Sequence, residues 1–147
     1  MANDETLMIG EILAKVDTAK TKKAKKDLLE QYKKITVLQH YLRGLFDPKV
    51  KWAITDQPDY AEDDITPEGE PANSLYIEIP KCSLFVEGHP KAKGVKPARL
   101  KQILIQVLES LHPTEATLYM QMLKKKTKIK GLTSKLVLEV FPGMYKE

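Results

Sequence analysis

A chain of 147 residues with 42% hydrophobic and 30% charged side chains is long enough for one self-supporting domain and too apolar to be intrinsically disordered. Its one cysteine, Cys82, excludes an internal disulfide or a thiolate metal cluster, and reads as a small buried hydrophobe. The net charge is only +4, but it is unevenly spread: 19 of the 24 Lys and Arg residues fall within 15–34, 91–101 and 124–135.

The chain opens on a helical pattern from about Glu5 to Val16, with Leu7, Met8, Ile9, Ile12, Leu13 and Val16 as a broad apolar stripe. Asp17 to Thr21 interrupts it and supplies a cap for a second helix, which runs through Ala24, Leu28 and Leu29 to about Gln31. A third helix, about Ile35 to Phe46, stops at Asp47-Pro48, because the residue before proline is pushed out of helical geometry. Trp52 follows in a short extended piece expected to pack on these three helices. Residues 53–72 then hold three prolines and seven acids without one Lys or Arg, which predicts a long exposed acidic loop. Its spacing matches no ion-binding loop, so it reads as a solvated excursion or a protein-contact arm carrying an exposed Tyr60.

Ala72 to Ile79 reads as a short helix, with Leu75, Ile77 and Ile79 equally compatible with a strand; Pro80 breaks or kinks it, and Leu84-Phe85-Val86 adds core. The plainest helical pattern, about Pro97 to Leu111, repeats Leu100, Ile103, Leu104, Val107, Leu108 and Leu111 at threes and fours. It is therefore expected to be the most buried helix. His112-Pro113 starts another, with proline in its first turn. Lys124 to Lys130 closes that helix, Gly131 turns the chain, and Thr133 caps a last helix ended by Phe141-Pro142-Gly143. The prediction is one all-α domain over 1–147, a compact bundle of six or seven helices with no sheet.

No catalytic constellation accompanies these elements. There is no G-x-x-x-x-G-K-[ST] and no G-x-G-x-x-G, and His40, His89 and His112 lack metal-ligand spacing. The expectation is a protein that is not an enzyme and takes no metal or cofactor. No apolar run approaches the ~20 residues that span a bilayer, and the acidic start is unlike a signal peptide, so a cytoplasmic protein is expected.

The positive chemistry lies in the basic turns. Loops at the ends of packed helices can converge on one surface, and a cationic surface suits a polyanion. At the last turn, Lys128 and Lys130 flank an incoming helix start bearing the Thr133 and Ser134 hydroxyls, a phosphate-holding arrangement without sequence information. Arginine occurs only at 43 and 99, which disfavours bidentate base readout.

These segments carry a resemblance. Ile12-Leu13, Val16, Thr18 to Lys26 and Leu28-Leu29-Glu30, with Trp52 after the third helix, resemble the opening of the all-helical N-terminal DNA-binding domain of tailed-phage ATP-dependent DNA ligases. Lys130-Gly131-Leu132-Thr133 with Val137 and Val140-Phe141-Pro142-Gly143 resembles its closing turn and helix. More of the chain is similar to a family of small uncharacterised proteins of large tailed phages, through Leu45-Phe46-Asp47-Pro48, Lys51-Trp52, Leu84 to Gly88 and the same closing segment. The ligase resemblance implies a grip on double-stranded DNA through phosphate contacts from inter-helix loops. The nucleotidyltransferase domain and its K-x-D-G motif are missing, and the acidic loop and Pro80 depart from the ligase pattern.

The resulting expectation is a non-catalytic, phage-encoded protein of the host cytoplasm that binds the duplex backbone. Lys22, Lys23 and Lys26 would contribute from the first turn, Lys128, Lys130, Thr133 and Ser134 from the last, and Lys93 and Lys96 as a third contact. The alternative is an interaction module for a host or phage protein during host takeover or assembly, using the same scaffold and the acidic loop.

Overall fold

A computed structural model describes residues 8–55, 58–60, 74–90 and 93–145 of the chain. Seven α-helices occur among them: α1 (Ile9–Thr18), α2 (Lys22–Gln31), α3 (Thr36–Phe46), α4 (Leu75–Glu78), α5 (Pro97–Ser110), α6 (Pro113–Lys124) and α7 (Ser134–Val140). A 3-10 segment, Ile79–Phe85, continues directly from α4 with Pro80 in its first turn, so the proline changes the helix type and does not end the element. No strand occurs among the described residues; the one isolated bridge joins Trp52 to Val86. No described helix is long and apolar enough to cross a membrane.

The caps follow the local chemistry. Thr21 Oγ1 accepts from Ala24 N at 3.0 Å at the start of α2, and Thr133 Oγ1 accepts from Leu136 N at 3.2 Å at the start of α7. Asp47, forced out of helical geometry ahead of Pro48, is buried and accepts from Lys49 N and Arg43 Nε at the end of α3. The expected onset of α1 at Glu5, the start of the fourth helix at Ala72, and the acidic residues 56, 62–64, 68 and 70 lie outside the described residues. At the entrance to that acidic segment, Pro58 is buried and Tyr60 is half-buried against the core, not exposed as its surroundings imply. The ring gains more from apolar contact than from water.

The burial order differs from the sequence expectation. Seven of the twelve residues of α6 are buried, against four of the fourteen in α5. The reason is position: α6 packs against α1, α3 and α5 together. A helix contacted all round needs apolar residues all round, which weakens its single stripe, whereas the clean stripe of α5 marks a helix with one wet side.

Two close contacts set how α6 meets its neighbours. At Gly44 on α3 a Cβ would lie 2.8 Å from Trp52 Cζ2 and 2.9 Å from Met122 Sδ, so only glycine lets α3 and α6 approach this far. Trp52 lies in that contact with its Nε1–H donating to Gly44 O at 3.0 Å. It is held from the other side by Ala53 N to Phe85 O and Glu87 N to Lys51 O, both 2.7 Å. Trp52 thus bridges α3 and the end of the 3-10 segment.

At the other end of α6, the buried Glu115 accepts from Gly10 N at 3.1 Å and from Leu75 N at 3.0 Å. Burial pushes its carboxyl above the usual glutamate range, against the opposing pull of those two backbone donors. The folded state therefore holds this proton more tightly than the unfolded chain does. The associated stability is fully present below the unfolded glutamate pKa of about 4.3 and is lost as pH rises through the higher folded value. The melting temperature of the wild type relative to Glu115→Gln should accordingly fall as pH rises across that window. A pH-independent difference between the two would rule this out.

Leu104 and Leu108 on α5 have no exposed surface. Leu104→Ala or Leu108→Ala should each cost about 2–5 kcal/mol, from lost transfer energy plus the cavity left behind. Urea unfolding reads this directly, and an unchanged midpoint would mean that α5 does not pack as described.

Candidate nucleic-acid interface

The helix order brings the first and last basic turns together, because α2 packs on α7 and α1 on both α2 and α6. Two contacts fasten them. Lys130 N donates to Asp17 Oδ1 at 2.8 Å, joining the last turn to the end of α1. Lys25 is buried, and its Nζ donates to Val16 O at 2.8 Å and to Asp17 O at 3.3 Å, carbonyls of the last turn of α1. Its stem runs beneath Gly131, where a Cβ would meet Lys25 Cε at 2.9 Å, and Gly131 itself has φ +75°. The positive φ favours glycine at 131, and a Cβ there would make the Lys25 stem shift.

Around this junction the predicted residues take different places. Lys22, Lys23, Lys128 and Lys130 are exposed, and Lys26 is half-buried. Lys22 Nζ lies 3.2 Å from Glu139 Oε2, Lys26 Nζ lies 3.7 Å from Glu139 Oε1, and Lys23 pairs with Asp27 at 3.6 Å. The Lys22 hydrogen bond, with the charges of Lys22, Lys26 and Lys135 around it, holds the Glu139 carboxyl below the usual range. Thr133 Oγ1 is engaged as the α7 cap, and Ser134 Oγ shares a 2.7 Å hydrogen bond with Tyr145 Oη. The lysines, more than the hydroxyls, are therefore the groups this face offers an anion.

Lys93 and Lys96 are exposed at the entrance to α5, where Lys96 is the residue before the first helical turn. No ion pair among the described residues ties them to the other two turns. Lys91 of the same stretch lies outside the described residues. Lys125, counted by sequence with the last stretch, is used internally. It ends α6 in the left-handed region at φ 56°, its ammonium donates to Asp47 O, and burial lowers its pKa.

Beside Lys128 a cleft of about 330 Å³ opens between α1 and α6, floored by Gly10, Leu13, Ala14 and Leu118. Its lining also includes Asp17, Thr114, Thr117, Gln121 and Lys128, so the cleft is of mixed polarity. No three His, Cys, Asp or Glu side chains gather into a metal-holding group among the described residues, and Cys82 is half-buried and forms no disulfide.

Sequence reasoning missed four residues of this region: Asp17, Lys25, Lys135 and Glu139. A signal existed for Lys25, which lies four residues before the buried Leu29 and so on the inward face of α2. The i, i+4 spacing of Lys135 and Glu139 was also visible. Nothing local announces that Asp17 or Glu139 faces a partner more than a hundred residues away.

The chain belongs to DUF6433, a family of unknown function, which matches residues 12–129. The match covers the six helices from the body of α1 to the end of α6 and stops just before Lys130. No curated protein matches the chain.

Replacing Gly131 by alanine should pry the two basic turns apart. The left-handed backbone alone costs roughly 1–2 kcal/mol for a residue with a Cβ, and the contact with Lys25 adds to it. A lower melting temperature, with amide shifts at Asp17 and Lys130 in an NMR spectrum, is the expected result; an unperturbed Asp17 would contradict the described junction.

Proposed function

Since membership in a family without an assigned function leaves the geometry as guide, we propose that the protein is a non-catalytic binder of duplex DNA backbone. One observation carries the reading: the turn before α2 and the turn before α7 are tied together by Asp17, Lys25 and Gly131. That arrangement brings the start of α2, with Lys22, Lys23 and Lys26, next to the turn that carries Lys128 and Lys130. Lysines on inter-helix turns recognise phosphate as point charges and carry little base information. Lys93 and Lys96 supply a separate contact at the α5 entrance. The resemblance to the phage ligase DNA-binding domain supports the same use of such turns, and with the likeness to small phage proteins it suggests a phage-encoded protein acting in the cytoplasm of an infected host. No cofactor or metal enters this reading.

A second reading, a protein-interaction module, is favoured by Ile77, which is 47% exposed on α4. A large apolar side chain in water suits a protein surface better than DNA.

On the DNA reading, affinity should be indifferent to sequence and steeply weakened by salt. Each neutralised phosphate adds about 0.9 to the magnitude of the log–log salt slope, so five contacts give roughly −4 to −5. Lys128→Glu with Lys130→Glu should weaken all duplexes alike and flatten the slope by about two. Asp63→Lys with Asp64→Lys should not weaken binding. A gel-shift titration at two salt concentrations decides, and no shift at micromolar protein removes the DNA reading. Loss of a captured protein on Ile77→Glu, with no DNA affinity, would establish the second.

A further inference from the structure

Glu139 is the one acid that faces the proposed DNA surface from α7, and both its oxygens are engaged by lysines of α2. Lys22 and Lys26 are one helical turn apart, so their ammonium groups close on a single carboxylate like a pincer, with Lys135 one turn before Glu139 on its own helix. These are exposed ion pairs, with side-chain exposures of 62%, 40% and 33% for Lys22, Lys26 and Glu139. Pairs so exposed contribute little to stability, because water and salt compete for both partners. The fold has little need of Glu139, and apolar residues of α7 already seat it on the core: Leu136, Val137 and Val140 are buried. What the carboxylate does do is occupy, with two anionic oxygens, the place between the lysines that a phosphate would take.

Resting on the DNA reading above, we propose that Glu139 is a built-in competitor for that phosphate position, which a DNA backbone must displace before Lys22 and Lys26 can engage it. A compact single anion gains little by such an exchange. A polyanion that brings phosphates to Lys128 and Lys130 at the same time holds its local phosphate at high effective concentration and wins it. Glu139 thereby favours extended phosphate backbones over isolated anions, and sets the affinity of the face below what its lysines alone would reach.

The test is fluorescence anisotropy on a labelled mixed-sequence duplex, with inorganic phosphate as competitor. Glu139→Gln should tighten duplex binding by about three- to tenfold at low salt and make inorganic phosphate a better competitor. Glu87→Gln, the same charge change at the exposed residue after the Trp52–Val86 bridge, should have a much smaller effect. In a Lys22→Gln, Lys26→Gln background the gain from Glu139→Gln should vanish, since the competitor then has nothing to release. Circular dichroism should be unchanged throughout. If the wild type binds duplex and Glu139→Gln binds no tighter, or tightens only as much as Glu87→Gln, the competitor role is wrong and the DNA reading survives. If neither wild type nor Glu139→Gln binds at micromolar protein, both fall together.

Discussion

One buried carboxylate organises this fold. Glu115, in the first turn of α6, accepts from the second residue of α1 and the first residue of α4. The starts of α1 and α4 therefore meet the start of α6 at one carboxylate, each donating to it a backbone N–H that has no partner within its own helix. A buried carboxylate without donors would be ruinous, and a buried helix start without acceptors nearly as costly; here each supplies what the other lacks. The raised pKa of Glu115 shows that burial still outweighs its hydrogen bonds. Its value lies in specifying which ends meet rather than in net stabilisation.

From that point the placement of the basic turns follows by geometry. With its start pinned at Glu115, α1 lies along α6 and delivers its last turn, and Asp17, to the far end. Lys25 answers the α1 carbonyls there, and its stem forms the floor under Gly131. One end of α1 is thus held by an anion at its positive pole and the other by a cation at its negative pole. The lysine that looks like part of the anion-binding run is a structural bolt, and its neighbours at 22 and 26 are turned outward because it is turned in.

Only part of the lysine charge of the basic stretches is left for a ligand. Lys25 and Lys125 are consumed by carbonyls, and Lys23 pairs along its own helix. Glu139 neutralises part of what remains. What decides the field felt by a ligand is this local balance, and a single acid between two lysines changes it more than several acids elsewhere.

Much of the architecture was legible locally. Apolar spacing located α1, α2, α3, α5, α6 and α7, and Thr21, Pro48, Pro113, Gly131 and Thr133 marked their ends, because caps, proline geometry and positive φ act within one turn of chain. The nine predicted contact residues could be named from composition, but not their arrangement. Tertiary structure alone decided that α6 and not α5 is the central helix, since a stripe reports how one-sided a helix is and not how many neighbours it has. It alone set Tyr60 against the core and brought Glu139 to Lys22 across 117 residues of chain. Helix identity is a matter of neighbours in sequence; which charge meets which is settled by packing, where partners are chosen by distance in space.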